Sequence, residues 1–234
     1  MRKTGRWAVL AGAIALAPAA PTSLAQAGEV SLGVAGGSVS LPVTSMRENR
    51  FRSVIPQRYD FSCGSAAIAT LLSHHYGRKV TEEQAFEAMF RAGDQAAIQR
   101  FGFSMLDMKS YLATLGLRAD GFQVTLDQLA AVGVPAVTLI NTKGFKHFVV
   151  IKGLYDGRIL VGDPALGLKV YDRQAFEEVW DRVLFIVRDE LPAARSNFNQ
   201  VAEWKQLNRA PIDNGINRQG LATRSLMLPG FNEF

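Results

Sequence analysis

The sequence predicts an α+β fold in which a mainly helical first half is followed by an antiparallel sheet. Between residues 62 and 133, apolar residues recur at helical spacing behind helix-capping signals. Between residues 135 and 187, the apolar residues alternate with polar ones and are rich in β-branched types. Helices that precede the strands, instead of alternating with them, favour an antiparallel sheet.

Residues 1–27 have the pattern of a cleavable signal peptide. Three basic residues open it: Arg2, Lys3 and Arg6. A short apolar stretch follows, and the small residues Ala25 and Ala27 stand where a signal peptidase cuts. Pro18 and Pro21 interrupt the apolar stretch, which argues against the alternative of a retained membrane anchor. We therefore expect export to a Gram-negative periplasm, with no stable membrane span after cleavage.

Length and charge limit the remaining classes of protein. The 234 residues, 48% of them hydrophobic, suffice for one sizeable globular domain with extensions. Without the three basic residues of the signal segment, the formal net charge falls from +5 to +2. The charge of the full chain thus overstates its attraction for nucleic acid, and we expect no nucleic acid among the partners.

The first half of the domain is predicted to be helical after an extended lead-in. Residues 28–54 alternate apolar and polar types between glycines and prolines, which predicts an extended segment with one edge strand at most. A nearly all-round apolar helix, predicted to be buried, runs from Ser62 to Gly77. The later helices are predicted from capping signals, at Thr81 to about Arg91, Ser104 to about Leu115, and a short one closed by Gly133.

The second half is predicted to be a sheet, followed by a tail. The predicted strands are 135–140, 147–153, 158–163, 168–171 and 182–187, with a helix before the last. From residue 189 to residue 234 the pattern fades, and only 198–207 suggests a helix. We expect this tail to be partly irregular, either wrapped over the domain or mobile.

Cys63 is the single cysteine of the chain and stands at the start of the apolar helix. Unpaired N–H groups and the positive end of the helix dipole favour a thiolate at such a position. The alternative is an inert small core residue, which is common for buried cysteines. Because a lone cysteine cannot form an internal disulfide, a free thiol in an exported protein is expected to be either buried or used.

His147 and Asp163 are predicted to meet across a β-hairpin. His147 begins one predicted strand, Asp163 ends the next, and Asp156-Gly157 between them is a strong turn signal. A carboxylate beside an imidazole fixes its tautomer and supports its charged form. Taken singly, the histidine could be structural and the aspartate could merely start a turn.

Gln57 completes a candidate catalytic set. It lies six residues before Cys63, where its amide and the Cys63 backbone N–H could donate to a developing oxyanion. With His147 and Asp163, these residues fit acyl transfer: the imidazole takes the thiol proton and the sulfur attacks an amide carbon. No cofactor is needed for this chemistry.

Other conspicuous residues are given no catalytic part. His74 and His75 are helix neighbours that point about 100° apart, so they cannot form the i, i+4 pair of a helical metal site. We expect no metal and interpret the two histidines as a polar helix end. Gly36-Gly37 is a hypothetical self-processing site. The core is predicted to hold the aromatic residues Phe101, Phe103, Tyr111, Trp180 and Phe185.

Four segments together resemble a known family. They are "QRYDFSCGSAAIATLL", "KHFVVIKG", "VGDPALG" and "FEEVW". They resemble the papain-like cysteine peptidases of family thirty-nine, whose best-known members remove double-glycine leaders from bacteriocins during export. The resemblance covers residues 55–188 and implies a papain-like α+β fold. It also implies a role for each candidate: Cys63 as nucleophile, His147 as base, Asp163 as orienting residue and Gln57 in the oxyanion hole.

The chain departs from that family in two ways. The usual Asp-Cys-Gly is Ser62-Cys63-Gly64 here. The bacteriocin processors are commonly fused to an exporter. We expect no part of such an exporter in this chain. It resembles instead the stand-alone exported members, including the peptidase-like component of Gram-negative functional-amyloid secretion operons.

Two functions remain open from the sequence. The first is an exported cysteine peptidase that cleaves a secreted peptide or protein, with cleavage after small residues or Gly-Gly as one option, linked to export or functional-amyloid biogenesis. The alternative is a peptidase-like binding module or chaperone that holds an export substrate without cleaving it. The presence of all four site residues favours catalysis.

Overall fold

The computed structural model of the chain describes residues 28–34 and 37–207, with side chains from 44 to 207. The predicted signal peptide, Gly36 of the hypothetical self-processing site and residues 208–234 lie outside this part. The chain divides into two units at Ser45. In the first, β1 (Gly28–Val34) and β2 (Gly37–Val43) pair as an antiparallel hairpin, where the sequence predicted one strand at most.

In the second unit most of the helices precede the strands, as the sequence predicted, with one strand between the fifth and the sixth helix. These helices are α1 (Met46–Arg50), α2 (Cys63–His75), α3 (Glu82–Ala92), α4 (Gln95–Phe101), α5 (Met105–Thr114) and α6 (Leu126–Val132). The capping boxes predicted at Thr81 and Ser104 are present, with each hydroxyl accepting from the N–H three residues on. Gly133 ends α6 in the left-handed conformation, which glycine adopts without a steric penalty.

Two of these helices differ from the sequence prediction. The sequence predicted an extended segment over residues 28–54, but this prediction was wrong for the residues of α1. Ser45 and Glu48 form a reciprocal capping box that starts a helix there. Helix α4 was not predicted, and begins where the Asp94 carboxylate accepts from the Ala97 N–H. Both helices are short, and one cap decides where such a helix begins.

The second half is an antiparallel sheet, as predicted. Its strands are β3 (Ala119–Gln123), β4 (Ala136–Thr142), β5 (Phe145–Tyr155), β6 (Arg158–Asp163), β7 (Gly167–Asp172) and β8 (Trp180–Val187), with helix α7 (Arg173–Val179) before the last. The order across the sheet is β3-β8-β4-β5-β6-β7. Strand β3 was not predicted, since its residues lack the β-branched pattern; pairing with β8 at the sheet edge forms it.

Helix α2 occupies the centre of the core. Almost every residue of α2 is buried, and the helix packs against α3, α5 and the strands β4 and β5. The aromatic residues predicted for the core are buried as expected at Phe103, Tyr111, Trp180 and Phe185. The prediction was wrong for Phe101, which is 76% exposed at the end of α4, with the Arg100 guanidinium over its ring.

The tail is ordered over the part that the structure describes. It forms α8 (Leu191–Ser196) and α9 (Val201–Gln206). The Asn199 N–H donates to the Lys152 carbonyl and its side-chain amide donates to the Leu154 carbonyl, both over 2.8 Å, so the tail is attached to β5. Within the described residues, no helix has the length and apolar character needed to cross a membrane.

Candidate active site

The thiol of Cys63 lies at the first residue of α2, where the residue is 7% exposed. Ser62 occupies the N-cap position, but its side chain makes no hydrogen bond to the helix. Within the described part of the chain, the Cys63 N–H makes no hydrogen bond either. The thiol therefore faces the positive end of a buried helix whose first turn is uncapped, a setting that stabilises negative charge.

Gly64 explains how α2 can come so close to its neighbour α5. A Cβ atom at this position would lie 2.9 Å from both the Phe103 Cβ and the Met108 Cε. The absence of a side chain at Gly64 thus allows the first turn of α2, and Cys63 with it, to be held against the segment that begins α5.

His147 and Asp163 meet across the β5–β6 hairpin, as the spacing predicted. The His147 Nε2 lies 2.8 Å from the Asp163 Oδ1, and both residues are buried. The hairpin register aligns Val150 with Gly162, which places the two side chains at the same end of the paired strands. Asp163 also starts a turn, because its Oδ1 accepts hydrogen bonds from the N–H groups of Ala165 and Leu166.

The surroundings of this pair favour charges on both members. Burial lowers the pKa of His147, but the hydrogen bond to Asp163 and the nearby Cys63 outweigh it and raise the pKa to about 9. Burial raises the pKa of Asp163, yet His147 and the two backbone N–H groups bring it below its usual value. At neutral pH the two residues are therefore an imidazolium and a carboxylate.

The second nitrogen of His147 is left for Cys63. Its Nδ1 is buried and makes no hydrogen bond within the described residues. The Cys63 side chain is nevertheless near enough to help raise the pKa of the imidazole, and catalytic hydrogen bonds often tighten only when substrate binds. Phe145, 59% exposed, stacks beside the imidazole with ring centres 6.0 Å apart, a neighbour that no pattern in the sequence indicated.

Gln57 is tied to the same region from two sides. Its backbone N–H donates to the Pro164 carbonyl over 3.0 Å, next to Asp163. Its side-chain Nε2 donates to the Tyr59 carbonyl over 3.0 Å, in the loop that leads to Cys63. One bond uses one of the two hydrogens on this nitrogen, so the amide keeps a second donor.

The two helix histidines take no part in this site. His75 is buried and neither of its ring nitrogens has a hydrogen-bond partner in the described residues, while His74 is half-buried. Burial is the largest of the causes that hold the pKa of His75 well below its usual value. Among the residues that the structure describes, no three side chains of the metal-binding types come together.

Comparison with known proteins assigns the chain to a class. The family model described as "Peptidase C39 family" matches residues 52–191, more than half of the chain. A Pseudomonas aeruginosa protein named "Probable functional amyloid protease FapD" is 41% identical over 152 residues, which are 65% of this chain and 67% of that protein. Its namesake from Pseudomonas fluorescens is 40% identical over 166 residues, 70% of this chain and 74% of the relative.

A solved structure agrees with the fold. The peptidase domain of Streptococcus ComA, described as a bi-functional ABC transporter, superposes with a TM-score of 0.50, covering 58% of this chain and 96% of that one, at 18% identity. The fold is the mixed helix and antiparallel sheet of the papain-like peptidases, and the protein is a cysteine peptidase. The chain belongs to the peptidase C39 family.

Proposed function

We propose that this peptidase is exported and cleaves a secreted peptide or protein through a thioester on Cys63. One observation carries the proposal: the His147 imidazole is held at 2.8 Å by Asp163 and has its other nitrogen left for the only cysteine of the chain. The raised pKa of about 9 means that the imidazole readily holds the proton that it takes from the thiol.

The first half of the reaction forms the acyl-enzyme. His147 already holds the proton that it has taken from the thiol, and the Cys63 sulfur adds to the carbonyl carbon of the scissile bond. The negative charge that develops on the carbonyl oxygen is stabilised by the Cys63 N–H and by the second N–H of the Gln57 amide. The tetrahedral intermediate collapses when His147 gives its proton to the leaving amine, and the C–N bond breaks.

The second half returns the free enzyme. Neutral His147 takes a proton from a water molecule, whose oxygen adds to the thioester carbon, and the C–S bond breaks to release the acid, which leaves the proton on His147 as at the start. Asp163 remains a carboxylate throughout, because its lowered pKa disfavours protonation. Its part is to orient the imidazole and to stabilise the charged form.

The substrate is proposed from the relatives. Two proteins about 40% identical to this chain are named probable functional amyloid proteases, so we assign this enzyme to export or functional-amyloid biogenesis. Cleavage after small residues or Gly-Gly is the proposed rule. The periplasmic location is part of the proposal, and it is supported by the signal-peptide pattern of residues 1–27.

The test compares cleavage by wild type with that by Cys63→Ala and His147→Ala. The probe is a fluorogenic peptide amide ending in Gly-Gly, followed by candidate secreted proteins in solution. Each variant is expected to lose about 10⁵-fold or more in kcat, because nucleophile and base act as one unit. His74→Ala, a histidine outside the site, is the matched control and should cleave normally.

Retention of cleavage by Cys63→Ala would contradict the mechanism. Reaction of the wild type with a peptidyl thiol-directed electrophile is a separate check, because a site that only binds has no need of an activated thiolate.

A further inference from the structure

We propose that Ser62 is a positioning residue that acts through the Tyr59 carbonyl to aim the Gln57 amide at the oxyanion. This inference rests on the proposed function and names a determinant of the same site.

Ser62 differs from the other hydroxyl residues at N-cap positions in the described part of the chain. Those residues have extended backbone, and each accepts a hydrogen bond from the N–H three residues on: Ser45, Thr81, Ser104 and Thr125. Ser62 instead has φ −98 and ψ 15, and its side chain does not cap the helix. A side-chain cap normally stabilises a helix by about 1 kcal/mol. Because the Ser62 side chain does not make this bond, other contacts must hold it in place.

Those contacts are to Tyr59. The Ser62 hydroxyl accepts from the Tyr59 N–H over 3.1 Å and donates to the Tyr59 carbonyl over 3.1 Å. The Ser62 backbone N–H donates to the same carbonyl, also over 3.1 Å. Ser62 is fully buried, and its three hydrogen bonds to Tyr59 hold the orientation of the carbonyl.

The fixed carbonyl in turn orients Gln57. The Gln57 Nε2 donates to the Tyr59 oxygen over 3.0 Å. If the amide were turned over, two oxygens would face each other, and this repulsion selects the orientation with nitrogen toward the loop. The backbone of Gln57 is already held by Pro164, so the remaining freedom of the side chain is removed by Tyr59.

The same arrangement leaves the first-turn amides of α2 without a side-chain acceptor. Because the Ser62 side chain is engaged with Tyr59, it does not occupy the first-turn amides of α2. A hydroxyl suits this position because it both donates and accepts, which a carboxylate cannot do.

The experiment compares two reactions at the single cysteine. With p-nitrophenyl acetate, the sulfur adds to the ester carbon through an oxyanion, p-nitrophenolate leaves and an acetyl thioester forms. With iodoacetamide, the sulfur displaces iodide and no oxyanion develops. The ratio of the acylation rate to the alkylation rate thus reports the oxyanion donors separately from the thiolate.

Ser62→Ala is expected to lower this ratio about tenfold, and Gln57→Ala about a hundredfold, the range seen when one oxyanion donor is removed. In the double variant the ratio should equal that of Gln57→Ala alone, because Ser62 acts through Gln57. Ser196→Ala is the matched control: it removes a hydroxyl that likewise donates to the carbonyl three residues back, at an exposed position of α8.

An unchanged ratio in Ser62→Ala would overturn the inference, and so would losses that multiply in the double variant. A loss of both reactions by the same factor would also overturn it, since Ser62 would then act on Cys63 or on the fold. Failure of the proposed function has a different signature. In that case the wild type would react with neither reagent faster than free cysteine does.

Discussion

The Lys152 Nζ lies 2.8 Å from the Glu203 Oε1, and the lysine side chain in this ion pair is completely inaccessible to solvent. Lys152 sits at an irregularity of β5, between Ile151 and Gly153, where the pairing with β6 shifts by one residue. Its Nζ also donates to the Ser53 carbonyl over 2.7 Å. The strand that carries His147 is thereby joined to α9 of the tail and to the segment before Cys63.

Loss of the Glu203 carboxylate is expected to destabilise the fold. Glu203→Ala leaves a buried lysine without its counter-charge, which costs about 3–5 kcal/mol in the free energy of unfolding. The measurement is chemical denaturation at neutral pH. Glu178→Ala on α7 removes an exposed carboxylate and should change little; equal stability of the two variants would show that the Lys152 pair does not hold the tail.

The stability of the wild type should fall on acidification because of His75. Burial, the charge of Lys152 and the neighbouring His74 lower the pKa of His75, and the backbone of Asn197 offsets them only in part. A folded-state pKa below the unfolded value of 6.5 means that the unfolded chain binds the proton more tightly. The stabilising contribution is therefore full above pH 6.5 and is lost as pH falls below it, by at most about 1.4 kcal/mol per pH unit.

His75→Leu is expected to remove most of that pH dependence. Free energies of unfolding measured at about pH 5 and about pH 7 give the slope for each protein. The variant should lose less stability than the wild type over this interval. Parallel losses in the two proteins would assign the acid sensitivity to other groups.

The alkaline limit of catalysis should depend on Asp163. Burial lowers the pKa of His147, and the hydrogen bond to Asp163 is the strongest of the effects that raise it to about 9. Asp163→Asn is expected to lower the pH at which kcat/KM declines on the alkaline side, and to reduce kcat, because the charged imidazole is no longer supported. The measurement is a pH profile of kcat/KM with the Gly-Gly peptide amide, with Asp172→Asn, an exposed aspartate, as control. An alkaline limit that stays near 9 in Asp163→Asn would remove the carboxylate from the mechanism.

A side chain at Gly64 should disturb both packing and activity. The Cβ of Gly64→Ala would lie 2.9 Å from the Phe103 Cβ, which cannot move without its backbone. We expect a loss of about 1–3 kcal/mol in the free energy of unfolding, typical of overpacking, and reduced alkylation of Cys63 because the first turn of α2 must shift. Gly121→Ala on β3 is the control, because the nearest atom to its Cβ would be 3.5 Å away. Equal stability and equal alkylation rates in the two variants would mean that α2 and α5 are not tightly packed here.

Local signals predicted most of the elements. The reciprocal caps at Thr81 and Ser104, the glycine after α6 and the Asp156-Gly157 turn depend on neighbours in the chain, and each appears where the sequence indicated. The failures involve partners that are distant in sequence. Strand β3 exists through its pairing with β8, and Phe101 is exposed because α4 presents its last residue to solvent, which apolar character alone does not reveal.

For the candidate site, the chain by itself determined the types of residue and one pairing. The Asp156-Gly157 turn brings the far ends of the two strands together, and this is why His147 and Asp163 could be matched from spacing, whereas the shift of register beside Lys152 was not predicted. The order Gln57, Cys63, His147 and Asp163 and the motifs around them indicated the family before any coordinates. What only the tertiary structure decided is how Ser62, Tyr59 and Gln57 are linked, and how Lys152 and Glu203 join the tail to β5. Such contacts depend on the direction of buried hydrogen bonds and on charges that approach across the fold, and no periodicity in the chain records either.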